Sequence, residues 1–283
     1  MLAFSWVFFT TEMVTVRLLS DDLSVAQIAV FRLTAQAVAL APLVIWTGGA
    51  VMRTARLPAH FGRALCSATG MLMFYLAFVM LPLALATTLT FLQATFVIVL
   101  AALLLGEKIG PRRIAAVVVG FIGVLIVVRP GMAVIEPGML IALGAAFASS
   151  LLMILTRSLS ATESRMAIML YSASLGLLLI SIPAALTWRP LEARHLPMLA
   201  LVGASGTVGQ FLMVGAFQLA EASALAPVDY IRLIFAVGAG YMIFDEVPDI
   251  WTWAGAGVIL ASVGYATHRD RIAARTASQI TKS

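Results

Sequence analysis

Of 283 residues, 62% are hydrophobic and 11% charged, whereas a soluble domain carries about 45–50% apolar and about 25% charged residues. A mean hydropathy of +1.04 over the whole chain leaves no room for a sizeable soluble domain and implies an integral membrane protein. The net charge of +5 comes from short loops and a basic tail, which membrane topology explains without any nucleic-acid partner.

Apolar segments bounded by charges, Pro or Gly predict helices at about 2–19, 24–46, 61–80, 83–105 and 112–128. A second set follows at about 138–156, 165–187, 196–219, 222–244 and 250–267. Each is near the roughly 20 residues needed to cross the hydrocarbon. The runs are continuous rather than alternating, which excludes a porin-like barrel. The first residues, MLAFSWVFFT, lack a basic n-region and a small-residue cleavage site and run without a break into the first span, so they are expected to be mature protein. Cys66 is the single cysteine, so no disulfide framework exists, and His60, His195 and His268 lack metal-ligand spacing. No metal or cofactor is expected.

The halves resemble each other. Leu104-Leu105-Gly106-Glu107 ends the fourth span as Ile243-Phe244-Asp245-Glu246 ends the ninth, at an offset of 139; Arg17 matches Arg157 at 140 and Pro42 matches Pro183 at 141. A repeat with an odd number of spans inserts in opposite orientations in its two copies, which places a substrate site between the halves near mid-membrane. The expected fold is therefore all-α and integral to the membrane, with about ten transmembrane helices in two inverted-topology five-helix repeats. The first repeat would occupy 1–131, the second 132–267, and a basic cytoplasmic tail 268–283. With the N-terminus inside, twelve of the 18 Lys and Arg fall on inside segments and four on outside loops, so both termini are expected in the cytoplasm.

Ala86 to Gly131, with Glu107 followed by a Pro-containing turn and a Gly-rich helix, resembles the EamA repeat of the drug/metabolite transporter superfamily. Glu221 to Tyr265, with Ala226-Pro227, Tyr230 and Phe244-Asp245-Glu246-Val247-Pro248-Asp249, is similar to the second copy, and Ala29-Val30-Phe31-Arg32 to the family's arginine position. Many members carry a proline midway along the fourth span, where this chain has Ala94-Thr95. The resemblance implies ten helices in two inverted repeats and movement of small metabolites, often out of bacterial cells, without naming the metabolite.

Ionisable groups inside a bilayer are functional candidates because each costs at least about 2.5–3.5 kcal/mol at its centre. Glu12, Arg32, Asp229 and Arg232 qualify. Asp229 and Arg232, three residues apart, can meet on one helix face and either pin helices together or serve the site. Arg32 suits an anion anchor, since a guanidinium stays charged and binds carboxylate or phosphate bidentately. Glu12 is either a proton-coupling carboxylate or the partner of Arg32 or Arg17. Tyr75, Tyr171 and Tyr230, with Trp6, are candidates to stack on a planar substrate. Gln93 and Gln210, with Gln36 and Gln218, either line a polar cavity or bond between helices. The substrate-binding set is thus Arg32, Tyr75, Gln93, Tyr171, Gln210, Tyr230 and Arg232, with Glu12 and Asp229 as coupling or ion-pair residues. Glu107 and Glu246, at helix ends, read as solvated interfacial groups. Trp188, Trp251 and Trp253 read as interfacial anchors.

Gly203, Gly206 and Gly209 follow no strand, so they are not a dinucleotide loop; their spacing suits close helix approach. Pro183 and Pro227 are candidate hinges, and Pro82 is a hinge or an ordinary helix start. No paired carboxylates, Ser/His/Asp set or His-rich loop is present, which argues against an enzyme. The leading expectation is a secondary transporter working by alternating access, in the efflux direction, in the bacterial inner membrane. The alternatives are uptake of a vitamin or cofactor such as riboflavin, or a non-transporting membrane scaffold or enzyme. Expected partners are a small-molecule substrate and the lipid bilayer, with homodimerisation left open and no nucleic acid.

Overall fold

The structure is a computed structural model that describes residues 1–49, 54–105, 111–129, 136–160, 162–219, 231–261 and 264–265. Among these residues all regular structure is helical. The helices are α1 (Leu2–Leu19), α2 (Val25–Trp46), α3 (Leu57–Met80), α4 (Leu83–Thr90), α5 (Leu92–Leu105) and α6 (Pro111–Val128), followed by α7 (Pro137–Ser160), α8 (Arg165–Leu186), α9 (Leu196–Leu219) and α10 (Ile231–Phe244). A last apolar helix, α11, spans Ile250–Ala261.

Local chemistry sets the helix starts. Ser24 accepts the Gln27 amide at 3.1 Å and Ser164 the Ala167 amide at 3.1 Å, each satisfying a donor that the first turn cannot. Pro58, Pro111 and Pro137 occupy first-turn positions, where the missing N–H costs nothing. Pro82 precedes α4, an ordinary start, while Pro42 and Pro183 lie inside α2 and α8 close to their ends. Pro227 lies outside the described residues.

Six helical stretches among the described residues are long and apolar enough to cross a membrane, one of them Leu83–Leu100 across α4 and α5, and shorter apolar helices accompany them. α1 is not among the six; it carries Glu12 and Arg17 together with several Ser and Thr. Large side chains such as Ile45, Leu103, Leu178, Ile182, Ile234 and Met242 point outward and are exposed, the surface expected where lipid is the solvent.

The predicted segment 83–105 is not one continuous helix. It turns at Phe91, between α4 and α5. No proline is responsible. The Phe91 amide bonds the Thr88 carbonyl at 3.2 Å, a tightened turn, and the Thr90 hydroxyl takes the Thr87 carbonyl at 2.8 Å. Side-chain hydroxyls competing for the helical ladder are a known cause of bends.

Packing crosses between the two halves. α3 lies against α7 and α1 against α9; α2 packs on α8 and α9, and α8 also on α3. α4 touches α7 and α10, and α10 also touches α1. One buried apolar cluster includes Met13, Phe78, Leu89, Val127, Ala142 and Ile259, and another includes Val16, Leu23, Ile28, Ile180 and Val202. Both draw on each half of the chain. Glycines permit the closest approaches: a Cβ on Gly203 would stand 2.3 Å from that of Ala35, and one on Gly255 would stand 2.7 Å from the Gly123 carbonyl.

Candidate functional site

The buried polar centre is built around Arg32 on α2, which is 6% exposed. Its Nε donates to Glu12 Oε1 on α1 at 3.3 Å and its Nη1 to Gln36 Oε1 at 2.8 Å. Its Nη2 donates to the Gly206 carbonyl at 3.2 Å and to Gln210 Oε1 at 2.8 Å, both on α9. Four of the five guanidinium N–H directions are therefore taken by protein. The Tyr75 hydroxyl, from α3, also donates to Glu12 Oε1, and Gln36 Nε2 reaches the Met169 carbonyl on α8 at 2.9 Å. Five helices are thus tied through one network. Gly206 is necessary to it, because a Cβ there would lie 2.7 Å from Arg32 Nε and 2.8 Å from Glu12 Oε2.

The network brings together Glu12, Arg32, Gln36, Tyr75 and Gln210. The other candidates lie apart. Gln93 Nε2 bonds the Ser149 carbonyl at 3.4 Å, joining α5 to α7. Tyr171 stacks on His60 with ring centroids 4.3 Å apart. Arg232 is buried on α10 against Trp6 and Phe91. Asp229 and Tyr230, with Glu107, Gln218 and the 268–283 tail, lie outside the described residues or side chains.

At each end of the bundle, described residues of the two halves make polar contacts with one another. At one end Asp22 accepts from His195 at 3.2 Å and lies 3.5 Å from Arg194, while Arg189 donates to the Asp21 carbonyl at 3.1 Å. Also at this end Arg17 Nη1 pairs with Glu246 Oε1 at 2.5 Å, and the Leu83 amide at the start of α4 donates to Glu246 Oε2 at 2.8 Å. Arg17 further lies 4.3 Å above the Phe244 ring. At the other end Thr54 donates to Glu163 at 2.6 Å, Arg56 to Ser158 Oγ at 2.7 Å and Arg63 to Thr156 at 2.9 Å. His60 lies there 3.8 Å from Glu163. Asp22 and Glu163 are 141 residues apart and His60 and His195 135, so both ends use a His–carboxylate pair from related positions.

Glu246 is the interhelical tie that sequence reasoning missed. Its place at a helix end suggested solvation, yet its side chain is only 14% exposed. The available signal was Arg17, a charge near the end of the first span that needs a carboxylate partner. Trp188, Trp251 and Trp253 are about half exposed near helix ends, as interfacial anchors are. An apolar recess of about 310 Å³ lined by Leu57, Pro58, Phe61 and Leu175 lies on the surface; with no polar group in its lining it offers a polar solute no orienting contact. Among the described residues no cluster of His, Cys, Asp and Glu is arranged to hold a metal.

Residues 1–129 and 136–267 both match the model of the EamA-like transporter family. The chain is 30% identical over 246 residues to an S-adenosylmethionine uptake transporter of Rickettsia bellii, covering 87% of this chain and 84% of that protein. It is 29% identical over 245 residues to a riboflavin transporter of Brucella anthropi, covering 83% and 85%. It is 31% identical over 255 residues to the pseudopaline exporter CntI of Pseudomonas aeruginosa, covering 86% of each. A solved crystal structure at 14% identity superposes with a TM-score of 0.62 over 94% of this chain and 96% of its own, so the fold is shared. The chain belongs to the EamA-like transporter family of the drug/metabolite transporter superfamily, and is a multi-pass membrane transporter rather than an enzyme.

Proposed function

We propose that this chain is a secondary transporter of the bacterial inner membrane that takes up a small organic metabolite by alternating access, with S-adenosylmethionine the first substrate to test. The match of both halves to one family model carries the reading, and the similarity to S-adenosylmethionine uptake transporters supports the direction and substrate. The chain is read as ten spans: α1, α2, α3, α4 with α5, and α6, then α7 to α11, in two inverted repeats at 1–131 and 132–267. Exchanging the halves turns the α3–α7 contact into α9–α1, α2–α9 into α8–α3, and α4–α7 into α10–α1, and every one of these contacts occurs. Such exchange symmetry supports a central site between repeats that rock against each other, and a helix interrupted at Phe91 is the type of element that builds one. Both termini are placed in the cytoplasm by the Lys and Arg bias.

In this reading Arg32 is a pivot rather than the anion anchor, because its donors are committed to four protein acceptors. Glu12 is the coupling carboxylate; it is the acidic residue that the described helices bury most deeply. Export is the second reading, favoured by the 31% identity to the pseudopaline exporter.

The test is accumulation of labelled S-adenosylmethionine and riboflavin by proteoliposomes holding the full chain, with an imposed proton gradient and, separately, by counterflow. Saturable uptake of S-adenosylmethionine is expected. Movement only from inside to outside selects export, and no protein-dependent movement of either compound in either direction overturns the assignment of substrate and direction. Glu12→Gln is expected to abolish gradient-driven accumulation while retaining counterflow; equal loss of both assigns Glu12 to structure alone.

A further inference from the structure

Where α1, the α4–α5 turn and α10 meet, three side chains stack. The Arg232 guanidinium carbon lies 4.2 Å from the centroid of the Phe91 ring and 5.1 Å from that of Trp6. All three residues are buried. Among the described residues, two donors at this junction have no acceptor: Trp6 Nε1 and Thr87 Oγ1. An indole N–H can only donate, and a buried donor left unmade carries its full desolvation cost. The helix itself does not account for Thr87. Thr88 and Thr90, on the same helix, bond back to the Ala84 and Thr87 carbonyls at 2.8 Å each, whereas the Thr87 hydroxyl makes no such bond among the described residues. Thr87 and Phe91 stand one helical turn apart on one face.

Position in the chain adds to this. Phe91 lies midway along the apolar segment 83–105 and Arg232 midway along 222–244, and the two are 141 residues apart, within the offsets that relate the halves. Related positions of the two halves thus meet at mid-span, where a site between repeats belongs. The Glu12–Arg32 network uses none of these four residues.

We propose that Trp6, Thr87, Phe91 and Arg232 form the seat for a planar nitrogen heterocycle of the transported molecule, a purine- or flavin-type ring; this rests on the transporter reading above. Such a ring has two faces to stack and in-plane nitrogen or carbonyl acceptors at its edge. Phe91 and Trp6 supply the stacking faces. The Trp6 N–H and the Thr87 hydroxyl meet the edge acceptors. Arg232 now lies over both rings and on entry exchanges one cation–π contact for a stack on the incoming ring or a bond to its substituents. An aliphatic amino acid would leave both donors unmet and both ring faces uncovered, so the seat discriminates by ring and not by charge.

The experiment measures binding of S-adenosylmethionine, adenosine, riboflavin and methionine to the purified full chain in lipid nanodiscs, for wild type, Trp6→Phe, Trp6→Leu and Thr87→Val. Each variant is first shown to be monodisperse with unchanged thermal unfolding, and Trp6→Phe serves as the variant that keeps a stacking face. Wild type is expected to bind at least one ring-bearing compound at least tenfold more tightly than methionine. Trp6→Leu is expected to weaken that compound about tenfold, Thr87→Val to weaken it less, and Trp6→Phe to restore most of the loss. Undiminished ring binding in both Trp6→Leu and Thr87→Val overturns the seat while the transporter assignment stands. Preference for methionine over every ring compound also overturns the seat. Binding of none of the four by a wild-type chain that moves another solute in proteoliposomes does so too and replaces the substrate class; no movement of any solute removes the transporter reading with it.

Discussion

Gly206 shows how much one missing side chain can decide. The Arg32 guanidinium passes over the α9 backbone at the point where a methyl group would touch both Nε and the Glu12 carboxylate. Gly206→Ala is therefore expected to displace the pair, lowering stability by about 1–3 kcal/mol as overpacking does and slowing transport; thermal unfolding in detergent and initial uptake rates check both. For the pair itself, Arg32→Gln or Glu12→Gln alone leaves a buried group uncompensated, a loss on the order of 3–5 kcal/mol. The double change is expected to cost less than the sum, and a double-mutant cycle on the unfolding free energy measures the coupling. Additive losses would show that Tyr75, Gln36 and Gln210 hold each member independently.

Among the elements, α4 and α11 owe their starting points to acids from the same short connection. Glu246 accepts the Leu83 amide as well as Arg17, so one carboxylate ties the end of α1 to the start of α4. Glu246→Gln keeps the shape and loses the charge on both contacts; it is expected to raise labelling of a cysteine placed at Ser20, in a Cys66→Ser background, because that end opens more often. Asp249 starts α11 by accepting the Thr252 amide at 2.8 Å and its hydroxyl at 2.5 Å, and it pairs with Arg129 at 2.9 Å. Partial burial pushes this carboxyl up, but the Thr252 bonds and the Arg129 charge outweigh it and hold the group below the ordinary carboxylate range. A lowered folded-state pKa contributes stability that is present above the unfolded value and lost as pH falls through the folded one. Asp249→Asn is thus expected to destabilise the chain near pH 7 and to converge with wild type as acid protonates the lowered carboxyl, as read by thermal unfolding from neutral to acid pH.

At the scale of the whole molecule, the two closures lie at opposite ends of the bundle and share a His–carboxylate pair, Asp22 with His195 and Glu163 with His60. Both sets of contacts are made in this structure. The proposed alternating access requires that they open in turn, so a change at one end should bias the other. Asp22→Asn is expected to favour the arrangement open at its own end and to reduce labelling of a cysteine introduced at Ala55, at the opposite end. With the proposed topology, an impermeant thiol reagent reaches Asp21→Cys from outside whole cells and Ala55→Cys only in inverted vesicles. The reverse pattern overturns the orientation.

Composition and the spacing of charges were enough to fix class and, for the described helices other than the one broken at Phe91, approximate limits, because a bilayer imposes length and hydrophobicity on each span separately. The residues that cannot be placed cheaply in lipid were equally visible: Glu12, Arg32 and Arg232 stand out of apolar runs whatever they contact. Their partners did not. Glu12 was compatible with Arg17 or Arg32, and only the packing of α9 against α1 and α2 assigns it to Arg32 while sending Arg17 to Glu246. The turn at Phe91 was hidden for a related reason: threonine hydroxyls bend a helix only in particular rotamers, and those depend on neighbouring helices. Spacing along a chain reports which side chains share a helix face; which faces meet is decided by contacts between different helices, many of them far apart in the chain, and these exist only once the bundle has formed.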